Sequence, residues 1–135
     1  MNAPLPRKAA PADQRPLYLI EDDVSVRAAQ ERLLIAAGIR VRAFPSATAF
    51  LASGVSAEGA CIIVDVVMHG LSGLELCQSL KAQGVHAGFI FVTAHDTPEA
   101  RRQAREAGAI AYFRKPVDDR ALIDAIEWAR SWSGT

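Results

Sequence analysis

Acidic, hydroxyl and ammonium side chains recur in this sequence directly after short apolar runs. Glu21-Asp22-Asp23 follows LYLI, Asp65 closes CIIVD, Thr93 closes GFIFVT ahead of the small Ala94, and Lys115-Pro116 follows AYFR. Taken singly, each has a plain explanation. A strand-end acid is ordinarily just solvated, a threonine opens a helix, and a lysine lies on the surface. Their joint arrival at successive apolar runs changes the weighing. Carboxylates brought close repel one another and favour protonation unless a cation is supplied. A hard divalent ion with oxygen ligands, most simply Mg2+, meets that need. Lys115 can balance the same acids from its own run, and Thr93 with Ala94 puts a hydroxyl beside a gap.

For these side chains to meet, the runs must be neighbouring strands of one sheet. From Leu17 onward, apolar runs alternate with longer amphipathic stretches, the pattern of strand-helix units around a parallel sheet. Five units can be counted, with strands predicted at Leu17 to Ile20, Ile39 to Phe44, Cys61 to Val66, Gly88 to Thr93 and Ala111 to Phe113. The first, third and fourth are nearly all apolar, as in strands covered on both faces, while IRVRAF alternates like an edge strand. In a doubly wound sheet the two acidic ends lie side by side, in the crevice beyond the carboxyl ends of the strands.

The helices carry their own punctuation. Val26, Ala29, Leu33, Leu34 and Ala37 form one apolar face, and Gly38 stands where a left-handed cap stops the helix. Ser72 with Glu75 makes a capping box, Leu71 and Leu76 its hydrophobic staple, and Gly84 the stop. Thr97-Pro98-Glu99 supplies a cap, a first-turn proline and an acid for the fourth helix, which Gly108 closes. Asp118 or Asp119 caps the last helix, whose inward face is Leu122, Ile126 and Ala129.

The 135 residues, half of them apolar, suit one domain. Fifteen basic and fifteen acidic residues cancel, so global charge gives no argument for binding nucleic acid or an anionic membrane. Cys61 and Cys77 are too few for a disulfide framework and read as buried, reduced thiols. No window has the length of a bilayer-spanning helix, and the N-terminus lacks an apolar signal core, so a cytoplasmic location is expected. Pro4, Pro6, Pro11 and Pro16 among alanines and charges mark residues 1–15 as a disordered tail, with the folded domain over 16–133.

The constellation resembles the receiver domain of two-component response regulators over nearly all of Leu17 to Trp132. The motifs are IEDD at Ile20 to Asp23, DVVMHGLSG at Asp65 to Gly73, TAH at Thr93 to His95 and YFRKP at Tyr112 to Pro116. The likeness is strongest to receivers that commonly sit ahead of a helix-turn-helix output domain. It implies a (βα)5 flavodoxin-like three-layer α/β sandwich with five parallel strands in the order 2-1-3-4-5. It makes Asp65 the phosphoacceptor, and counting back from Val26-Arg27 makes Glu21 and Asp22 the acid pair, with Asp23 as helix cap. Mg2+ would then be held by Asp22, Asp65 and the backbone carbonyl of Val67, with Glu21 acting through water. Thr93, Ala94 and Lys115 would bind phosphoryl oxygens, and Tyr112 would change rotamer on activation. The implied partner is a sensor histidine kinase or a histidine phosphotransfer protein. The switching surface of the fourth helix, fifth strand and fifth helix would serve a homodimer or another partner; Trp128 and Trp132 read either as packing at the core margin or as its docking patch, and Arg101, Arg102 and Arg105 either as a solvated face or as its polar rim. Such a protein catalyses its own phosphorylation and dephosphorylation rather than turning over a separate substrate, and it binds neither nucleic acid nor membrane directly. Both a stand-alone regulator and a receiver without its output domain fit the sequence.

Physical chemistry supports these roles: phosphoryl transfer to a carboxylate needs charge neutralisation and in-line positioning, which Mg2+ and Lys115 provide. Departures from the family pattern are His69 where proline is usual and Val117 where phenylalanine is commoner. Val67, two residues beyond the acceptor, cannot orient a water, so slow loss of the phosphate is expected, although His95 can act the other way. His69, His86 and His95 have no spacing of a metal-ligand set. A flavodoxin would need hydroxyl and glycine donors where Glu21-Asp22-Asp23 stands. A dehalogenase-type phosphatase would need an acid at Val67. A phosphorylation-independent scaffold would not need all of Glu21, Asp22, Asp65, Thr93 and Lys115.

Overall fold

The computed structural model describes residues 15–68 and 70–131. The expectations for the tail before Arg15, for His69 and for Trp132 lie outside the described residues. Strands and helices alternate throughout: β1 (Leu17–Ile20), α1 (Val24–Ala36), β2 (Arg42–Phe44), α2 (Ala47–Ala52), β3 (Cys61–Asp65), α3 (Gly73–Ala82), β4 (Gly88–Thr93), α4 (Pro98–Glu106), β5 (Ala111–Arg114) and α5 (Asp119–Ser131). The five strands are parallel in the order β2-β1-β3-β4-β5, as the sequence leads one to expect.

Successive side chains of a strand point to opposite faces, so each central strand feeds two cores. Tyr18, Ile20, Ile62, Val64, Phe89 and Phe91 join Phe50, Leu76, Leu80, Ala100 and Ala104 from α2, α3 and α4. Leu17, Leu19, Ile63, Ile90 and Val92 join Leu34, Leu122, Ile126 and Ala129 from α1 and α5. β1, β3 and nearly all of β4 are buried, whereas β2 is a short edge.

Helix boundaries follow the local signals. Asp23, Ser72 and Thr97 each accept a backbone N–H of the following turn, and the Ser72–Glu75 capping box is complete. Asp118 rather than Asp119 caps α5, through the Ala121 N–H. At the end of α1, Gly38 takes φ 80°, which lets its own N–H reach the Ile35 carbonyl and the Ile39 N–H reach that of Leu34. The same pair of bonds recurs after α3 and α4.

That cap also corrects the second strand. Ile39 was expected to begin it, but its N–H is committed to α1 and its side chain is buried among the residues of the α1–α5 core, so β2 starts only at Arg42. β3 ends at Asp65, one residue short of the expected Val66, and β5 runs one further, to Arg114. The α1 face is rotated as well. Leu34 is buried, but Ala29 and Ala37 are exposed while Arg27 and Gln30 are half-buried. The Arg27 guanidinium donates to the Glu21 carbonyl at 2.8 Å, turning that side of the helix toward the end of β1.

Candidate phosphoacceptor site at the strand switch point

The strand order reverses between β1 and β3, and that opening is where a doubly wound sheet exposes a crevice. Ile20 pairs with Val64, so Glu21 and Asp65 are the next residues of their neighbouring strands. Asp65 pairs with Val92 and Thr93 with Arg114, so Thr93 and then Lys115 each stand one step further along. Ladder bonds continue past the strands from Glu21 N–H to Phe44, Val66 N–H to Val92 and Lys115 N–H to Thr93. The site therefore rests on backbone that the sheet itself holds.

Lys115 joins the acids. Its ammonium donates to Glu21 Oε1 at 2.7 Å and to Asp65 Oδ2 at 2.9 Å. Burial works against that charge, but the two carboxylates outweigh it and hold the Lys115 pKa above the ordinary lysine value. The Lys115–Pro116 peptide is cis. Glu21 is 1 % exposed and Asp65 6 %, a depth at which unpaired carboxylates are rarely tolerated. Each uses its other oxygen to accept a backbone N–H: Oε2 of Glu21 from Asp23, and Oδ1 of Asp65 from Val67. Asp22 stands exposed between the buried Glu21 and the capping Asp23.

The structure thus brings Glu21, Asp65 and Lys115 into direct contact, with Asp22 exposed next to Glu21 in the chain and Val67 bound through its N–H. Thr93 is fully buried, its Oγ1 accepting the His95 N–H at 3.0 Å, and Ala94 is exposed beside it. Tyr112 is half-buried, and its hydroxyl donates to Asp96 Oδ1 at 3.1 Å rather than meeting Thr93. Trp128 is 57 % exposed. On α4, Arg101 pairs with Asp96, Arg102 with Glu99 and Glu106, and Arg105 is exposed.

Sequence reasoning missed Gly73, Arg27 and Asp96. A Cβ on Gly73 would collide with the Asp65 carbonyl oxygen, so the first turn of α3 packs directly on the Asp65 backbone. The glycine in LSG was the available signal. Asp96 had none, because its partners are five residues on and across on β5.

As to a metal, no group of three His, Cys, Asp or Glu side chains is gathered tightly enough to cage an ion among the described residues. The donor chemistry nevertheless fits Mg2+: Glu21 and Asp65 offer only hard oxygens with one ammonium between their two carboxylates, and Asp22, next in the chain to Glu21, offers another.

Residues 17–127 match the family model of the response regulator receiver domain. The transcriptional regulatory protein FixJ of Azorhizobium caulinodans is 40 % identical over 82 % of this chain and 53 % of its own length. Nodulation protein W of Bradyrhizobium diazoefficiens is 34 % identical over 82 % of this chain and 48 % of its own. The transcriptional regulatory protein TdiR of Thauera aromatica is 34 % identical over 84 % and 50 %. The chain thus spans about half the length of these curated relatives. Among solved structures, that of FixJ-N superposes with a TM-score of 0.79 at 29 % identity, covering 87 % of this chain and 94 % of the other. The response regulator StyR superposes at 0.74 and 35 % identity, covering 87 % and 60 %.

Proposed function

The chain belongs to the response regulator receiver domain family, and from that premise we propose that Asp65 is its phosphoacceptor, served by Lys115, Thr93 and the acid pair Glu21 and Asp22. The receiver occupies residues 16–133 on this reading, with 1–15 as a tail. It works as a phosphorylation switch of two-component signalling in the cytoplasm, and a sensor histidine kinase or a histidine phosphotransfer protein is its donor. The observation that carries the assignment is the Lys115 ammonium held between Glu21 and Asp65 at the strand switch point.

Asp65 Oδ attacks phosphorus in line, the phosphorus–oxygen bond forms as the bond from phosphorus to the donor's imidazole nitrogen breaks, and that nitrogen takes up a proton. Lys115 is placed to follow the charge from the carboxylate to the phosphoryl oxygens. Thr93 gains a new acceptor in those oxygens, and Ala94 leaves them room. Asp22, Asp65 and the Val67 carbonyl, with Glu21 beside them, would hold Mg2+, which would supply the positive charge that phosphoryl transfer requires. Because these groups lie in one chain, the receiver catalyses its own phosphorylation and, with water as acceptor, its dephosphorylation. Val67 is exposed at the site, and its hydrocarbon side chain cannot hydrogen-bond that water, so the acyl phosphate is long-lived. Tyr112 and the surface of α4, β5 and α5 with Trp128 and Trp132 report the change to a second copy or another partner. The similarity to the transcriptional regulatory proteins FixJ and TdiR supports an output on transcription.

The test is to mix the protein with phosphoramidate and Mg2+ and to compare its intact mass with that of an Asp65→Ala variant. One phosphoryl adduct on the wild type and none on the variant is expected. Absence of an Asp65-dependent adduct under donor excess favours a scaffold that binds partners unphosphorylated.

A further inference from the structure

The Tyr112 hydroxyl is held by a carboxylate that is itself clamped. Asp96 Oδ1 accepts from Tyr112 at 3.1 Å and from Arg101 Nε at 2.7 Å, while Oδ2 accepts from Arg101 Nη2 at 2.9 Å. A two-pronged guanidinium pair fixes the plane of the carboxylate as well as its place. The Asp96 side chain is 13 % exposed, so the pair is shielded from solvent on the aspartate's side.

We propose that Asp96, oriented by Arg101, is a positioning residue of the switch: by holding the Tyr112 hydroxyl it biases the unphosphorylated receiver against its activated packing. The proposal rests on the reading of Asp65 as phosphoacceptor and of Thr93 and Tyr112 as the switch pair.

The covalent path from Thr93 to this latch is short. Thr93 Oγ1 accepts the His95 N–H, and Asp96 is the next residue, directly before the Thr97 cap of α4. When the hydroxyl turns to a phosphoryl oxygen, the His95 N–H loses that partner and the 94–97 turn must rearrange, carrying Asp96 with it. Little else fixes this end of α4, whose buried residues are only Ala100 and Ala104. Asp96 thus belongs to the turn that Thr93 moves, Arg101 to the helix and Tyr112 to β5, and one carboxylate couples all three. A state that is favoured by such a bond before phosphorylation lowers the population competent to accept the phosphoryl group.

The experiment measures the rate of adduct formation from phosphoramidate and Mg2+ for wild type, Asp96→Ala, Asp96→Asn, Tyr112→Phe and the Asp96→Ala/Tyr112→Phe double variant, with cooperative urea melts as a check on folding. Tyr112→Phe removes one hydroxyl and leaves the Arg101–Asp96 pair intact. It and Asp96→Ala should each speed the reaction by roughly fivefold, the change an ordinary net hydrogen bond carries. The double variant should be no faster than either single one, and Asp96→Asn, which keeps an acceptor, should fall between. An Asp65-dependent adduct that forms at wild-type rate in Asp96→Ala and Tyr112→Phe, or additive gains in the double variant, overturns the latch alone. No adduct on the wild type overturns the functional reading, and the latch falls with it.

Discussion

Lys115 stands between two buried acids, and the sign of its pKa shift fixes how it contributes. Glu21 and Asp65 raise the folded-state value against the opposing effect of burial. A lysine whose pKa is raised on folding stabilises the fold fully below its unfolded value, and that stability is lost as pH climbs through the folded one. Replacing it by the similarly long Met leaves two buried carboxylates without their cation. Breaking a fully buried pair costs about 3–5 kcal/mol; with the Lys115 side chain 18 % exposed, Lys115→Met should cost about 2 kcal/mol at pH 7. Urea unfolding measures it, and the gap from wild type should shrink as pH rises past the ordinary lysine value of 10.5. A gap that widens there contradicts the pairing. The same surplus of acid predicts that Mg2+ stabilises the protein. At ten times its dissociation constant the gain is about 1.4 kcal/mol. It should be absent with sodium at matched ionic strength and much reduced in Asp65→Ala.

Each helix meets the site in its own way. α3 touches it through Gly73, whose missing Cβ is the space into which the Asp65 carbonyl fits. Gly73→Ala forces the first turn of α3 away from β3, so a stability loss of about 2 kcal/mol should accompany slower adduct formation. Unchanged values for both would show that the turn yields freely. α4 differs from α5 in what anchors it: two buried alanines against Leu122, Ile126, Ala129 and Arg130. Backbone amides of α4 should therefore exchange with deuterium well ahead of those of α5, and equal protection would contradict this ranking. These element differences also mark what the sequence could reveal. Capping residues and glycine stops were legible because helix ends use local bonds, three to five residues apart. The inward face of α1 was not, because Arg27 reaches back to the Glu21 carbonyl and rotates polar residues inward, contrary to the apolar stripe. Ile39 likewise reads as strand by residue type, yet the α1 cap takes its N–H. In the site, Glu21, Asp65, Thr93 and Lys115 were legible because each directly ends or follows an apolar run. Asp96 was hidden because its bond to Tyr112 is a tertiary contact without period.

Across the whole molecule, one sheet separates two cores, and a cysteine lies in each. Cys77 belongs to the layer of α2, α3 and α4, and Cys61 to that of α1 and α5. Both thiols are free. Burial pushes Cys61 up to about 12, partly offset by Arg130 and Arg15, and raises Cys77 in the same direction with Lys81 opposing. The nucleophile is the thiolate, so neither should react with a thiol reagent at pH 7–8 in the native protein. The two cores share β1, β3 and β4, whose alternate side chains fill both, so neither can lose its packing while the other keeps the sheet intact. Unfolding should then be two-state, and Cys61→Ser and Cys77→Ser variants, each keeping one thiol, should label along urea curves whose midpoints coincide with the melt of the same variant by circular dichroism. If instead the Cys77 thiol opened at lower urea than the circular-dichroism transition, the layer that carries α4 would be a separate cooperative unit. Switching could then proceed by loosening that layer alone, while the α1–α5 side kept Lys115 and the acids in register.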